Sequence, residues 1–109
     1  MYAVPTTKDT YGKTEEIIGS WFAARKNRDK VILASKVVGG GIPWIRGGAG
    51  IDRKNILEAI DGSLQRLQTD YIDLYQLHWP NREAYHFNNH WDYDPDFKSS
   101  EVEDNFLEI

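Results

Sequence analysis

The sequence has 109 residues, of which 40% are hydrophobic and 28% charged, so it can form a folded core of at most one domain. Its net charge of −4 argues against nucleic acid as a partner, and the absence of cysteine excludes disulfides and cysteine-ligated metal sites. No apolar run reaches the ~20 residues needed to span a bilayer, and no secretory leader pattern is present, so we expect a soluble, cytoplasmic protein without membrane contact.

The first predicted elements are a helix and a strand. Thr14 is a favourable N-cap, and the helix that follows is expected to end near Asn27. Its apolar face is predicted to comprise Ile17, Ile18, Trp21 and Phe22. Residues 31–38 are almost continuously apolar, which is typical of a parallel strand that is buried on both faces.

A glycine-rich loop over residues 39–50 separates this strand from a second helix. Neither of the phosphate-loop glycine patterns fits this loop, although Arg46 beside Gly47 leaves an anion contact open. Asp52 can cap the second helix, whose apolar stripe is Ile56, Ile60, Leu64 and Leu67. A second strand is predicted over residues 71–78, and a strand–helix–strand unit of this length makes the two strands parallel.

The remaining residues differ in character. Residues 1–80 carry a net charge of +2 and residues 81–109 a net charge of −6. We predict that residues 81–100 form a long acidic and aromatic loop, which packs on a surface or lines a pocket. A capping box begins a last helix at Ser100, but the chain stops after about two turns. The sequence also begins inside a loop, so both ends indicate a piece of a larger fold.

The acidic loop imitates a calcium site without meeting its requirements. Asp92, Asp94 and Asp96 occupy positions 1, 3 and 5 of a calcium loop, and Glu103 occupies position 12. Position 6 requires glycine for its sharp turn, and Phe97 stands there instead. We therefore predict no metal site.

Lys36 and His78 each lie at the carboxyl end of a predicted parallel strand. Sites in open α/β sheets and in (β/α)₈ barrels are built at that edge, so an ammonium and an imidazole could face one cavity. Periodicity alone leaves a second interpretation open. In that interpretation Lys36 only reaches water, and His78 is a hydrogen-bonded interior histidine.

At this point the chain resembles the aldo-keto reductase family, and more closely one of its bacterial branches. The resemblance is carried by residues 1–5, 14–19, 29–37, 52–56 and above all 63–80, with the sequence SLQRLQTDYIDLYQLHWP. It implies an α/β fold that corresponds to strands 3 and 4 of a (β/α)₈ TIM barrel with flanking helices. Residues 1–109 would then form a partial NADP-dependent oxidoreductase domain.

The resemblance also implies an activity, namely NADPH-dependent reduction of small aldehydes and ketones. Tyr2 matches the family's proton donor, Lys36 its lysine and His78 its histidine. A neighbouring ammonium lowers the pKa of a phenol, and an imidazole stabilises charge that develops on the carbonyl oxygen. The family's catalytic aspartate would fall before Met1, and most of its cofactor contacts would fall beyond Ile109, so the cofactor-binding residues are not predicted.

Two strands cannot close a barrel and each leaves an unpaired edge, so the isolated chain is expected to lack reductase activity and either to fold poorly or to self-associate through the exposed strand edges. Two alternatives stay open at this stage. One is a non-catalytic, truncated relative that acts as a binding or subunit-interaction module. The other is an unrelated α/β domain that binds an anion through residues 39–50.

Overall fold

The structure is a computed structural model that describes residues 7–38, 44–45, 47 and 50–78. Its elements in chain order are helix α1 (Lys13–Arg25), a 3₁₀ turn (Arg28–Lys30), strand β1 (Ala34–Val37), helix α2 (Arg53–Leu67) and strand β2 (Leu74–Leu77). The predicted order of helix, strand, helix and strand is confirmed. Tyr2, most of the glycine-rich loop, the predicted loop 81–100 and the predicted helix from Ser100 lie outside the described residues.

Strands β1 and β2 are neighbours in a two-stranded sheet, and they are parallel, as predicted. The carbonyl oxygen of Leu33 accepts hydrogen bonds from the backbone N–H groups of Asp73, at 3.0 Å, and Leu74, at 3.1 Å. These bonds align the two strands at their amino ends. Helix α2 makes the connection between them, which is the usual crossover of a parallel pair.

Both strands begin three residues later than predicted, because side chains form hydrogen bonds with backbone groups that would otherwise pair the two strands. Arg28 Nη1 donates to the carbonyl of Val31 at 2.6 Å, and Nη2 donates to that of Tyr71 at 3.0 Å. The N–H of Leu33 donates to Asp73 Oδ2 at 2.8 Å. The regular ladder therefore starts only after this cluster.

The expectation that β1 is buried on both faces is wrong. Leu33 and Val37 are buried, but Ile32 is 86% exposed, and Ala34 and Lys36 are exposed as well. Successive residues of a strand point to opposite faces. In the described part of the chain, one face of β1 is therefore covered and the other is open.

The chain divides into two compact units, residues 1–37 with 57–76 and residues 38–56 with 77–109. The core of the first unit is formed by Phe22 of α1, Leu33 before β1 and Leu67 at the end of α2. Ile18, Val31 and Ile72 pack against this core. Its residues come from both helices and from the segments that lead into both strands, so it holds these elements together.

Helix α1 differs from its prediction at its start and on its surface. Gly12, with a φ of 79°, precedes the helix, so Thr14 lies inside the first turn and does not cap it. Ile18 and Phe22 face the core, whereas Ile17 is 69% exposed and Trp21 44% exposed. Only half of the predicted apolar face is therefore buried.

Helix α2 begins as predicted. Asp52 Oδ1 accepts a hydrogen bond from the backbone N–H of Asn55 at 2.7 Å, and Oδ2 accepts one from the Asn55 side-chain amide at 2.6 Å. Asn55 is buried, and in the same unit Ile45 and Ile51 are buried. A carboxylate that bonds an N–H of the first turn is the usual N-cap arrangement.

Candidate functional site

Lys36 is the third residue of β1 and lies on its open face. Its side chain is exposed, as are the other two residues of this face, Ile32 and Ala34. Among the described residues it has no ion pair or hydrogen bond partner. The side chains of β1 therefore alternate between an open and a covered face, and the Lys36 ammonium group is not neutralised by any of the described carboxylates.

His78 directly follows β2 and is half-buried. The residue takes part in at least one interaction in the structure. Lys36 belongs to the first compact unit and His78 to the second, and each is positioned by its own strand. Tyr2 lies outside the described residues, so the convergence of the three side chains stays a prediction.

A hydrogen-bonded chain lies on the covered face of β1, one residue before Lys36. Ser35 Oγ donates to Glu15 Oε1 at 2.7 Å, and Arg66 Nε donates to Glu15 Oε2 at 2.7 Å. The Glu15 and Arg66 side chains are only 19% and 24% exposed. One carboxylate thus links α1, β1 and α2.

The sequence analysis missed this chain of contacts, because the only local signal that Glu15 offers is a negative charge in the first turn of a helix. A signal for it was present in β1. Ser35 alternates with Leu33 and Val37 on the covered face, where a polar side chain needs a partner. The partner itself is 20 residues away in the sequence and could not be inferred from spacing.

A second cluster holds the amino ends of the strands. Arg28 Nη2 forms an ion pair with Asp73 Oδ2 at 2.7 Å, and Nε donates to Thr69 Oγ1 at 3.2 Å. The guanidinium carbon lies 3.8 Å from the centre of the Tyr71 ring. Hydrogen bonds from the Leu33 N–H and from Arg28 hold the pKa of Asp73 below its ordinary value, since both favour the charged carboxylate.

The first unit also has an open concave surface of about 690 Å³. Its lining includes Arg28 and Asp29, which precede β1, and Gln68 and Tyr71, which precede β2. It therefore lies at the amino ends of β1 and β2. Sites in parallel α/β folds are built at the carboxyl ends, where Lys36 stands, so this concavity is not our candidate site.

The described helices include none that is long and apolar enough to cross a membrane. The fold consists of two parallel strands joined by a helix, which is the α/β class from which (β/α)₈ barrels are built. A lysine lies near the carboxyl end of one strand, and a histidine follows the other. Residues 7–106 match the aldo/keto reductase family. The chain belongs to this family, which confirms the resemblance and, with it, the barrel fold class.

Individual relatives agree with this assignment. The chain is 52% identical over 85 residues to Protein tas of Escherichia coli, which covers 75% of this chain and 25% of that protein. It is 44% identical to Aldo-keto reductase YhdN of Bacillus subtilis, with 65% of this chain and 21% of the relative covered. It is 40% identical to Methylglyoxal reductase YeaE of Escherichia coli, with 68% and 22% covered. The chain thus spans about a quarter of the length of these relatives.

Proposed function

We propose that this chain supplies part of the active site of an oxidoreductase that reduces small aldehydes or ketones. The observation that carries the proposal is the position of Lys36 near the carboxyl end of a parallel strand in an aldo/keto reductase chain. Its ammonium group is exposed and pairs with none of the carboxylates that the structure describes. His78, which directly follows the neighbouring strand, supports it. Methylglyoxal reductase, a relative at 40% identity, is named for a carbonyl substrate.

The roles of the residues follow from the charge that develops on the carbonyl oxygen. In this proposal Tyr2 donates a proton to that oxygen, and Lys36 stabilises the phenolate that remains. His78 orients the carbonyl group and stabilises its negative charge. This proposal assigns both Lys36 and His78 to the carbonyl oxygen, so we assign no cofactor contact to them. NADPH, when bound, would supply the hydride.

Turnover by the complete gene product tests this proposal. NADPH consumption, followed by its absorbance, is measured with methylglyoxal and with other small aldehydes and ketones. Lys36→Met is expected to lower kcat about 100-fold or more, the typical contribution of acid–base catalysis. The matched control is Lys30→Met, because Lys30 lies in the 3₁₀ turn that precedes β1, and it is expected to leave kcat unchanged.

The isolated 109-residue chain is expected to show no turnover, since it spans about a quarter of the length of its relatives. Absence of NADPH consumption by the complete gene product with all of these substrates would overturn the proposal. That result would favour the non-catalytic binding or subunit-interaction module instead.

A further inference from the structure

We propose that Glu15 is a positioning residue for Lys36 and that it acts through the hydroxyl group of Ser35. The inference rests on the proposed function, since it concerns how the lysine of that site is held. Ser35 precedes Lys36 on β1 and donates to Glu15 Oε1 at 2.7 Å. Glu15 itself lies in the first turn of α1 and does not touch the reacting atoms in this proposal.

Because side chains along a strand alternate between its two faces, the Ser35–Glu15 contact also constrains the face on which the Lys36 side chain lies. Neighbouring residues of β1 point to opposite faces, and here Ser35 is half-buried while Lys36 is exposed. A bond that holds the Ser35 side chain on the helix side therefore holds the Lys36 side chain on the open side. A rotation or a one-residue slip of the strand would exchange the two faces, and the Ser35–Glu15 bond opposes both changes.

Glu15 is suited to this role because it is itself held in place. Arg66 Nε, from α2, donates to Glu15 Oε2 at 2.7 Å, and both side chains are largely buried. Bonds between charged groups at this distance are strong and directional. The carboxylate is thus fixed from α2 and can act as a rigid anchor for β1.

The contact with Arg66 also pairs the negative charge of the Glu15 carboxylate with a positive charge. One oxygen of Glu15 takes the Ser35 hydroxyl and the other takes the guanidinium of Arg66. The anion behind the strand is therefore already paired and does not compete for the Lys36 ammonium. The charge of Lys36 is left for the open face, where the proposed reaction needs it.

Substitution of Ser35 tests the inference on the complete gene product. Ser35→Ala removes the bond and is expected to lower kcat about tenfold, the typical effect of losing a hydrogen bond to a charged group, while KM stays unchanged. Ser35→Thr keeps the hydroxyl and is expected to retain kcat. Ser20→Ala is the matched control, because it removes an exposed serine bond to the Glu16 carbonyl on α1, and it is expected to have no effect.

A second measurement is independent of turnover. Backbone hydrogen exchange at Lys36 is expected to become about tenfold faster in Ser35→Ala, because one anchoring bond is lost, while the α2 amides keep their rates. Should Ser35→Ala not fold, Glu15→Gln serves in its place. It keeps an oxygen acceptor for Ser35 but loses the charge that pairs with Arg66, so a smaller change in both readouts is expected.

The outcomes separate this inference from the proposed function. A normal kcat in Lys36→Met would overturn the proposed function, whatever Ser35→Ala does. A collapsed kcat in Lys36→Met, together with wild-type kcat and wild-type Lys36 exchange in Ser35→Ala, would overturn the positioning role alone. A loss of unfolding free energy in Ser35→Ala without any change in kcat would show that the bond is only structural.

Discussion

Arg28 Nη2 lies 2.7 Å from Asp73 Oδ2, and this ion pair joins the segment before β1 to the segment before β2. The same carboxylate oxygen accepts the N–H of Leu33 at 2.8 Å, and the guanidinium stacks over the ring of Tyr71. A single arginine and a single aspartate thereby hold the points where both strands begin. The ion pair lies in the segments where the sequence predicted backbone hydrogen bonds between the two strands.

Stability is expected to depend on pH through Asp73. Its pKa in the folded chain is lower than in the unfolded chain, where it is about 3.9, because the Leu33 N–H and Arg28 favour the charged form. A depressed pKa contributes stability that is fully present above the unfolded pKa and is lost as the pH falls through the folded one. Urea denaturation between about pH 6 and pH 2 measures this loss as a decrease in the free energy of unfolding.

Asp73→Asn removes the titrating group, so the free energy of unfolding is expected to decrease less between about pH 6 and pH 2 than in the wild type; this acid-side decrease is the acid limb of the stability curve. Asp70→Asn is the matched control, because Asp70 is an exposed aspartate three residues away, and it should retain the wild-type limb. An Asp73→Asn variant that keeps the full acid limb would show that the limb arises elsewhere.

The features that sequence could predict are those that depend on local patterns. The apolar stripe of α2 and the cap at Asp52 need only helical spacing and a carboxylate at the helix start, and both are present. That Lys36 shares a face with Ile32 and Ala34 follows from strand alternation, whereas the exposure of that face was not predicted. The family could be inferred because residues 63–80 form one long, ordered motif.

The features that sequence missed depend on contacts between distant residues. Arg28 and Asp73 are 45 residues apart, and Glu15 and Arg66 are 51 apart, so no spacing rule connects them. The first pair delays the start of both strands, and the second holds the covered face of β1. The exposure of Ile17 has a related cause, since the orientation of α1 is set by its contacts with the core.

Gln68 offers a site at which a glycine should stabilise the chain. It directly follows α2 with a φ of 52°, a left-handed conformation that costs about 1 kcal/mol for residues other than glycine. Its N–H donates to the Gln65 carbonyl and the next N–H, of Thr69, donates to Leu64, as in a Schellman motif. Gln68→Gly should raise the free energy of unfolding by about 0.5–1 kcal/mol.

The control for this substitution is Gln65→Gly, three residues earlier and inside α2. Glycine in a helix interior is unfavourable, so a decrease of about 1 kcal/mol is expected there. Urea denaturation of both variants gives the comparison. Equal losses at the two positions would contradict the left-handed conformation at Gln68.

The Asp52 cap should contribute measurably to α2. Asp52→Ala removes the acceptors for the backbone N–H and the side-chain amide of the buried Asn55. The free energy of unfolding is expected to decrease by about 1 kcal/mol, the usual value for loss of an N-cap. Asp61→Ala, at an exposed position within α2, is the control and should change it by less than about 0.5 kcal/mol. Similar effects at both positions would contradict the cap.

Two glycines of the helices should respond in opposite directions to alanine. At Gly19 of α1 an added Cβ would meet the carbonyl oxygen of Arg66 and lie 2.8 Å from the carbonyl carbon of Leu67, and both are backbone atoms that cannot turn away. Gly19→Ala should therefore lower the free energy of unfolding by about 2 kcal/mol, as overpacking does, despite the better helix propensity of alanine.

At Gly62 of α2 the nearest atom is Arg66 Nη1 at 3.0 Å, the end of a flexible side chain. Gly62→Ala should raise the same free energy by about 0.5 kcal/mol through helix propensity. Stabilisation by both substitutions, measured by urea denaturation, would show that α1 and α2 do not approach each other at Gly19.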